Sequence, residues 1–283
     1  MSIIKNTQSE DVSLDSILSD FQLYLEHRNM SANTIRAYLY AVRQFHELYE
    51  EPSHANLMLY KCYLLEHYKP QTVNLRIRAV NSYMEYLKQP DSKIKMVRIQ
   101  HKFFIENVIS QADYEYLKNC LQRDGQNLYY FAVRLMATTG MRISELLQTT
   151  VEDIQNGYID LYSKGNRIRR VFFTHEVSDS CLRWLMNIGR NTGYVFLNRF
   201  GTCISDVGLR EQLKQFAYRY GLNPSVVYPH AFRHLFARNF IENCDDIAML
   251  SDILGHESIE TTRIYLQRSA TEQKQMFNQV VDW

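Results

Sequence analysis

Apolar residues recur at intervals of three and four along most of this chain, and this helical period restricts the fold more than any other feature. The segment SLDSILSDFQLYLEHR begins at Ser13, a good N-cap residue, and its apolar residues fall on one face. The same period returns in SANTIRAYLYAVRQFHELY from Ser31, in NLMLYKCYLLEHY and in TVNLRIRAVNSYMEYLK. The first ninety residues are therefore predicted to form four helices.

One stretch interrupts the helical pattern with a signal for β-structure. GYIDLYSK and RIRRVFF are rich in β-branched and aromatic residues, and they flank the two-residue turn Gly165-Asn166. Helices are predicted on both sides of this hairpin, with Gly140 and Gly255 as helix-ending residues. The predicted fold class is mainly α with a small antiparallel β-sheet.

The helical pattern breaks at QPDSKIKMVRIQHKFFIEN, where Pro90 and Asp91 stand together. We place an interdomain linker at 89–107, between a helical domain at 1–88 and a second domain at 108–283 that ends in a tail helix. A length of 283 residues agrees with two domains.

Three features indicate where such a chain works. No apolar run approaches the roughly 18 residues that a membrane helix requires, and the start is too polar for a secretory signal. The five cysteines are scattered and form no CxxC pair. We expect reduced, packing cysteines in a cytoplasmic protein without a membrane partner.

Positive charge is concentrated locally, although the formal net charge is only +1. The segment 91–107 and the hairpin stretch KGNRIRR are basic, and the fourth predicted helix has a polar face containing Asn74 and Asn81. Each of these surfaces is suited to phosphate contact or simply to water. The candidate DNA-contacting residues are Arg76, Arg78, Lys93, Lys95, Arg167 and Arg169.

A second set of polar residues lies at the ends of predicted elements, where side chains can converge on a ligand. Its members are Arg142, Lys164, His230, Arg233, His256 and Tyr265. Arginine forks and a helix N-terminus bind phosphate, and a lysine can protonate a leaving alkoxide. A tyrosine hydroxyl needs a base or neighbouring cations to become a nucleophile. The set fits phosphoryl transfer, but spacing alone favours Tyr265 as a packing or surface tyrosine.

Four ordered segments, TGMRISELL, SKGNRIRRV, HAFRHLFA and LGHESIETTRIYLQ, resemble the successive signature boxes of the tyrosine recombinase (integrase-type) family. The resemblance covers nearly the whole chain, since 13–88 resembles the family's helical core-binding (SAM-like) domain. It implies a two-domain DNA clamp in which the second domain is catalytic. The compact plan is most similar to Xer-type recombinases or to transposon resolvases, and a simple integrase of a mobile element is a further possibility.

The resemblance also implies a role for each matching residue. Tyr265 would attack the scissile phosphate and form a 3′-phosphotyrosyl link, Arg142 and Arg233 would bind that phosphate, and Lys164 would protonate the departing 5′ oxygen. His230 would act as a base or proton relay. The remaining expectations are a phosphate contact by His256, an orienting role for Glu145 and a structural role for His234.

The resemblance implies no cofactor and no metal. The one metal-like spacing, His230 and His234 at i,i+4, lacks the glutamate of an HExxH motif. The expected partners are a double-stranded DNA core site, a homo-tetramer joined through the tail Thr271–Trp283, and accessory DNA-binding proteins. The alternatives are a type IB topoisomerase-like enzyme that relaxes DNA, a DNA-binding regulator that does not cleave, and metal-dependent phosphodiester hydrolysis, for which ligands are lacking.

Overall fold

The computed structural model describes residues 7–99, 108–163, 167–256, 258–266, 277–278 and 281. The chain divides into two compact units, Met1–His101 and Lys102–Trp283. No helix in the described part of the chain combines the length and apolarity needed to cross a membrane. The assignment of one unit to DNA binding and the other to catalysis stays a prediction.

The first unit consists of four helices and a short 3₁₀ turn. The bounds are α1 Thr7–His27, α2 Ala32–Leu48, α3 His54–His67, α4 Pro70–Tyr86 and the turn Pro90–Ser92. Ser31 caps α2 as predicted, because its hydroxyl accepts a hydrogen bond from the Thr34 amide. The predicted start of α1 at Ser13 is wrong: the preceding TQSEDV contains neither glycine nor proline, so the helix extends back to Thr7.

The polar face of α4 turns inward rather than toward solvent. Asn74 exchanges two hydrogen bonds with the backbone of Val97, at 2.8 and 2.9 Å, and Asn81 does the same with Ile94, at 2.9 Å each. These bonds bind the segment after α4, which belongs to the predicted linker, to the first unit. The expectation that Asn74 and Asn81 suit phosphate or water is therefore corrected: their partners are backbone amides and carbonyls.

Arg76 also differs from the exposed DNA-contacting side chain that was predicted. Only 8% of it is accessible, its guanidinium lies 4.0 Å from the centre of the Tyr68 ring, and it donates to Gln44. A buried guanidinium needs such partners, and here they come from α2 and the end of α3. Among the other candidates Arg78, Lys93 and Lys95 are exposed, and Lys93 pairs with Glu85 at 2.6 Å.

The second unit is built from helices around one hairpin. Its bounds are α5 Gln111–Arg123, α6 Asn127–Thr139, α7 Ile143–Leu146, α8 Val151–Asn156, β1 Tyr158–Ser163, β2 Arg167–Phe172, α9 His175–Asn187, α10 Asp206–Arg219, α11 Pro229–Cys244, α12 Ile247–Leu254, α13 Glu260–Arg263 and a 3₁₀ turn Ile264–Leu266. The two strands pair antiparallel, which confirms the predicted sheet. The turn residues Lys164, Gly165 and Asn166 lie outside the described residues, as does most of the predicted tail helix Thr271–Trp283.

The hairpin positions one unexpected side chain at the core. Leu161 lies opposite Arg169 in the register, and residues of this face, such as Ile159 and Val171, are buried. Ile168 and Phe172 on the other face are exposed. Because side chains alternate along a strand, Arg169 points to the buried face. All five cysteines are free; Cys120 and Cys181 are buried, whereas Cys62, Cys203 and Cys244 are exposed.

Candidate active site

Arg142 is positioned by the sharp corner between α6 and α7. Gly140 ends α6 with a φ of 65°, and a Cβ at this position would overlap the ring of Phe236, so only glycine fits. Arg142 then caps α7: its amide donates to Glu145 Oε2 at 2.6 Å, and its Nη1 donates to Glu145 Oε1 at 2.9 Å. The other end of its guanidinium donates to the carbonyl of Gly255, 3.2 Å away.

Arg233 is the most buried arginine of the site, with 3% of its surface accessible. It extends from α11 and donates to the carbonyls of Gly140 at 2.6 Å and Leu254 at 2.7 Å, and to His256 Nε2 at 2.9 Å. Burial, followed by the positive charge of Arg142, lowers the pKa of Arg233 to about 10. The side chain is therefore still a cation at neutral pH.

Arg169 joins the same cluster from β2. Its Nη1 donates to the Leu254 carbonyl and its Nη2 to Glu145 Oε2, each at 2.7 Å, and only 10% of the side chain is exposed. The prediction that Arg169 contacts DNA is contradicted by this burial, since both ends of its guanidinium bond within the protein. The alternation of exposed and buried residues in β2 is the sequence signal that could have placed it here. Arg167 begins the same strand, and its side chain lies outside the described residues.

The carboxyl end of α12 is the point on which these arginines converge. The last carbonyls of a helix have no partner within it and carry the negative end of the helix dipole. Here Leu254 and Gly255 supply those carbonyls, and they accept hydrogen bonds from Arg142, Arg169 and Arg233. The helix end thus holds three cations together that would otherwise repel one another.

Glu145 supplies the negative charge that balances this cluster. Burial alone would raise the pKa of its carboxyl, but the charge of Arg169 and the hydrogen bonds from Arg142 outweigh burial and lower it. The carboxylate is therefore ionised at neutral pH and bonds to both arginines. This placement agrees with the orienting role expected for Glu145.

His256 lies just beyond α12, between Arg233 and Thr262. Arg233 can only donate, so His256 Nε2 accepts and the ring proton lies on Nδ1, which donates to Thr262 Oγ1 at 2.7 Å. Burial, followed by the positive charge of Arg233, lowers the pKa of His256 to about 4. Thr262 is completely buried. Thr262 was not predicted from the sequence, because a single hydroxyl leaves no signal in the helical period.

Tyr265 lies in the 3₁₀ turn after α13, and its ring and its hydroxyl have different surroundings. The ring packs against the small apolar cluster that joins α11 and α12, which includes Ala237 and Leu254. The hydroxyl lies 2.9 Å from His234 Nδ1. Burial raises the pKa of Tyr265, and the charge of Arg233 acts in the opposite direction. Packing ring and reactive hydroxyl are therefore compatible descriptions of the same residue.

The two histidines of α11 lie in different environments. His230, in the first turn after Pro229, is exposed; partial desolvation and then the charges of Arg210, Arg233 and Arg142 lower its pKa. His234, one turn later, is half-buried, and burial followed by His230 and Arg233 lowers its pKa to about 4. His234 was expected to be structural, and in the structure its Nδ1 lies 2.9 Å from the Tyr265 hydroxyl.

Five of the six predicted catalytic residues are described, and four of them form one connected cluster. Arg142, Arg233 and His256 lie together at the carboxyl end of α12. Tyr265 belongs to the same cluster, because its hydroxyl contacts His234 and the charge of Arg233 acts on it. The sixth residue, Lys164, lies outside the described residues. A hydroxyl beside buried arginines and neutral histidines is suited to attack a bound phosphate.

Comparison with known proteins agrees with this geometry. Residues 107–272, more than half of the chain, match the model of the phage integrase family. The tyrosine recombinase XerC of Lactobacillus delbrueckii subsp. bulgaricus is 29% identical over 91% of this chain and 97% of its own length. The tyrosine recombinase XerD of Staphylococcus haemolyticus is 31% identical over a match that covers 52% of this chain and 52% of XerD.

A solved structure shares the fold. The Tn1549 transposon integrase in complex with transposon right end DNA has a TM-score of 0.71 and 16% identity, and the match covers 93% of this chain and 99% of the integrase chain. At that identity the likeness concerns the fold alone. It confirms the mainly helical class with a small sheet.

Proposed function

The chain belongs to the phage integrase family, whose members include the tyrosine recombinases, and from this premise we propose that it is a site-specific DNA recombinase. It cleaves and rejoins DNA through a 3′-phosphotyrosyl intermediate and exchanges strands between two short core sites. The observation that supports this most is the Tyr265 hydroxyl beside His234 and Arg233, in one cluster with Arg142 and His256.

The cleavage step uses this cluster as follows. Arg142 and Arg233 bind the nonbridging oxygens of the scissile phosphate, whose charge increases in the transition state. The Tyr265 oxygen attacks phosphorus, the bond to the 5′ oxygen breaks, and Lys164 protonates that oxygen. His256 donates to a phosphate oxygen. This requires the ring proton to move to Nε2 and the Arg233 Nη2 hydrogen bond to turn from His256 to the phosphate. The Thr262 hydroxyl then donates at Nδ1 instead of accepting.

The substrate is a double-stranded DNA core site, and two such sites are joined by a tetramer of this chain in the cytoplasm. Accessory DNA-binding proteins direct the outcome, which is cointegrate or dimer resolution, or integration and excision of a mobile element. The N-terminal unit contributes exposed cations for phosphate contact, notably Arg78 and Lys95. Because such contacts release counterions, binding weakens steeply as salt rises.

The catalytic claim is tested with a nicked suicide substrate, built on a core site selected by binding from a duplex library. Wild-type protein is expected to form a covalent protein–DNA adduct, and Tyr265→Phe to form none. Tyr218→Phe, which alters an exposed tyrosine of α10, is the matched control and should react as the wild type does. An adduct that persists in Tyr265→Phe would overturn the proposal.

Product topology separates recombination from relaxation. Plasmids with two core sites should yield resolved or inverted products, whereas plasmids with one site should keep their superhelicity. Relaxation of one-site plasmids without strand exchange would instead identify a topoisomerase-like enzyme.

The role of the tail is tested by deleting Thr271–Trp283. In gel-shift titrations the deletion should weaken the assembly of paired sites more than the binding of one half-site. Equal weakening of both would contradict assembly through the tail.

A further inference from the structure

Beyond the family's expected residues, we propose that His234 is a further catalytic residue of the cleavage step. Its Nδ1 holds the Tyr265 hydroxyl and accepts the phenolic proton as the tyrosine oxygen attacks phosphorus. This inference rests on the proposed recombinase function, and it concerns a histidine for which the sequence indicated only a structural role.

The geometry of the pair is fixed from both sides. His234 lies inside α11, directly after the buried Arg233, so the helix backbone sets the position of its ring. Tyr265 is held by the packing of its ring on the apolar cluster between α11 and α12. With both rings anchored, the 2.9 Å separation of Nδ1 and Oη results from packing rather than from a chance encounter of two surface side chains.

The protonation states suit this role. In the proposed resting state the Tyr265 hydroxyl donates to His234 Nδ1, which requires a neutral ring with its proton on Nε2. Burial, with help from His230 and Arg233, lowers the pKa of His234, which keeps the ring in its accepting form at neutral pH. The Tyr265 hydroxyl stays protonated at rest, because burial raises its pKa.

A weak base is sufficient because of the timing of proton transfer. Before attack, transfer from a phenol to this imidazole is unfavourable, so the resting enzyme holds no reactive phenolate. As the bond between Oη and phosphorus forms, the phenolic oxygen becomes a phosphate ester oxygen and its proton becomes strongly acidic. The scissile phosphate also offsets the positive charge of Arg233, which otherwise opposes protonation of His234. Transfer therefore accompanies bond formation.

The step balances in both directions. In cleavage the Oη–H bond breaks, the Oη–P bond forms and the P–O5′ bond breaks; the phenolic proton moves to His234 Nδ1, and Lys164 supplies a proton to the 5′ oxygen. In rejoining, a 5′ hydroxyl attacks the phosphotyrosine, and His234 returns its proton to the departing tyrosine oxygen. No oxidant, metal or nucleotide enters either step.

His230 and His234 are separated by their positions on α11. Among the described residues, His234 is the histidine whose ring nitrogen lies within hydrogen-bonding distance of the Tyr265 hydroxyl, while His230 is the exposed residue of an otherwise buried first turn. His256 stacks its ring near Tyr265, with centroids 6.5 Å apart, but its two nitrogens are engaged by Arg233 and Thr262. His230 is thus placed for contact with DNA, and His234 for contact with the nucleophile.

The test measures single-turnover cleavage of the suicide substrate from about pH 6 to pH 9, for wild type, His234→Ala, His234→Asn and His230→Ala. His234→Ala should cleave about 100-fold more slowly near pH 7, with unchanged half-site binding, and its rate should rise about tenfold per pH unit because solvent must deprotonate Tyr265. The titrating or charged groups around His234 are His230 and Arg233 on α11, Tyr265 on the 3₁₀ turn and His256 after α12. They remain in both His234 variants, so the change in slope reports on His234.

The His234→Asn variant distinguishes proton transfer from the hydrogen bond that positions the Tyr265 hydroxyl. Its side-chain oxygen can accept the Tyr265 hydrogen bond but cannot take the proton, so this variant should stay at least about tenfold slower than wild type and keep the steep pH slope. If the His234→Ala variant does not fold, the same comparison is made with His234→Asn and wild type. Wild-type rates in either variant, or pH profiles parallel to wild type, would overturn the role of His234.

A sulfur-for-oxygen substrate supplies a second, independent readout. A 5′-bridging phosphorothiolate has a leaving group that needs no proton, so Lys164→Ala should recover on it, whereas His234→Ala should stay slow. Recovery of both variants would overturn the assignment of His234 to the nucleophile. A wild-type protein that forms no adduct would contradict the proposed function itself, and a wild-type adduct with normal His234 variants would contradict only this inference.

Discussion

Two adjacent arginines of β2 are expected to differ in how much they contribute to the stability of the fold. Arg169 lies on the buried face and bonds both Glu145 and the Leu254 carbonyl. Arg170 lies on the exposed face, pairs with Asp160 at 2.7 Å, and keeps 47% of its side chain accessible. A buried ion pair whose one partner is removed leaves an uncompensated charge, whereas an exposed pair is replaced by water.

Replacing each arginine by methionine should expose this difference. Arg169→Met is expected to lower the free energy of unfolding by about 2 kcal/mol, because the buried Glu145 carboxylate keeps Arg142 but loses the second charge that balances it. Arg170→Met should cost less than about 1 kcal/mol. Urea unfolding measures both, and Arg169→Met with Glu145→Gln should regain part of the loss. Equal costs for the two single variants would show that Arg169 does not support the site.

The histidines of the site make stability depend on pH. In the folded protein the pKa of His234 and that of His256 are lowered from 6.5 to about 4. Between pH 4 and pH 6.5 the unfolded chain binds more protons than the folded one. The contribution of these histidines to the free energy of unfolding is therefore complete above pH 6.5 and decreases as the pH falls toward 4.

The expected loss is about 3 kcal/mol per histidine as the pH falls from 6.5 to 4, measured by urea unfolding at a series of pH values. His256→Asn should flatten the dependence, while His175→Asn, at an exposed position of α9, should leave it unchanged. A pH dependence that is identical in both variants would contradict a neutral, half-buried His256.

At the scale of elements, the end of α12 organises the catalytic cluster. Gly255 terminates the helix with a φ of 62°, and a Cβ there would overlap the Arg169 guanidinium and lie 2.8 Å from its Cδ. Gly221, which follows α10, has a similar φ of 68° but open space around the same position. The two glycines share a backbone requirement and differ in their neighbours.

Alanine at these two glycines should separate backbone strain from displacement of Arg169. Gly221→Ala is expected to cost about 1 kcal/mol of stability through its φ alone. Gly255→Ala should cost at least about 1 kcal/mol more and slow cleavage, because Arg169 must leave Glu145 or Leu254. Unfolding and single-turnover cleavage measure the pair. Equal stability and normal cleavage in Gly255→Ala would contradict the close contact with Arg169.

Local signals predicted most elements, because they act over a few residues. Ser31 caps its own helix, Gly140 and Gly255 end theirs, and the strand pattern located the hairpin. Burial of polar groups on α4 was not predictable in this way, since the partner of Asn74 is 23 residues away. The inward direction of Arg169 follows from strand alternation only once the buried face is known.

At the scale of the whole molecule, the four sequence boxes contribute separate pieces of one site. The first supplies Arg142 and Glu145, the second Arg169, the third Arg233 and His234, and the fourth His256 and Tyr265. Their resemblance to one family identified the residues, but not their contacts. The Thr262 hydrogen bond and the His234–Tyr265 pair depend on tertiary packing, so the sequence alone could not assign them.

Covalent linkage of Tyr265 to DNA is tested by mapping the residue that carries the nucleotide. After reaction with the suicide substrate, the adduct is digested with protease and nuclease and examined by mass spectrometry. We expect one nucleotide-bearing peptide, with a 3′-phosphoryl group on the Tyr265 oxygen, and a free 5′ hydroxyl on the released strand. A nucleotide on any other residue, or cleaved DNA without a linked peptide, would contradict it.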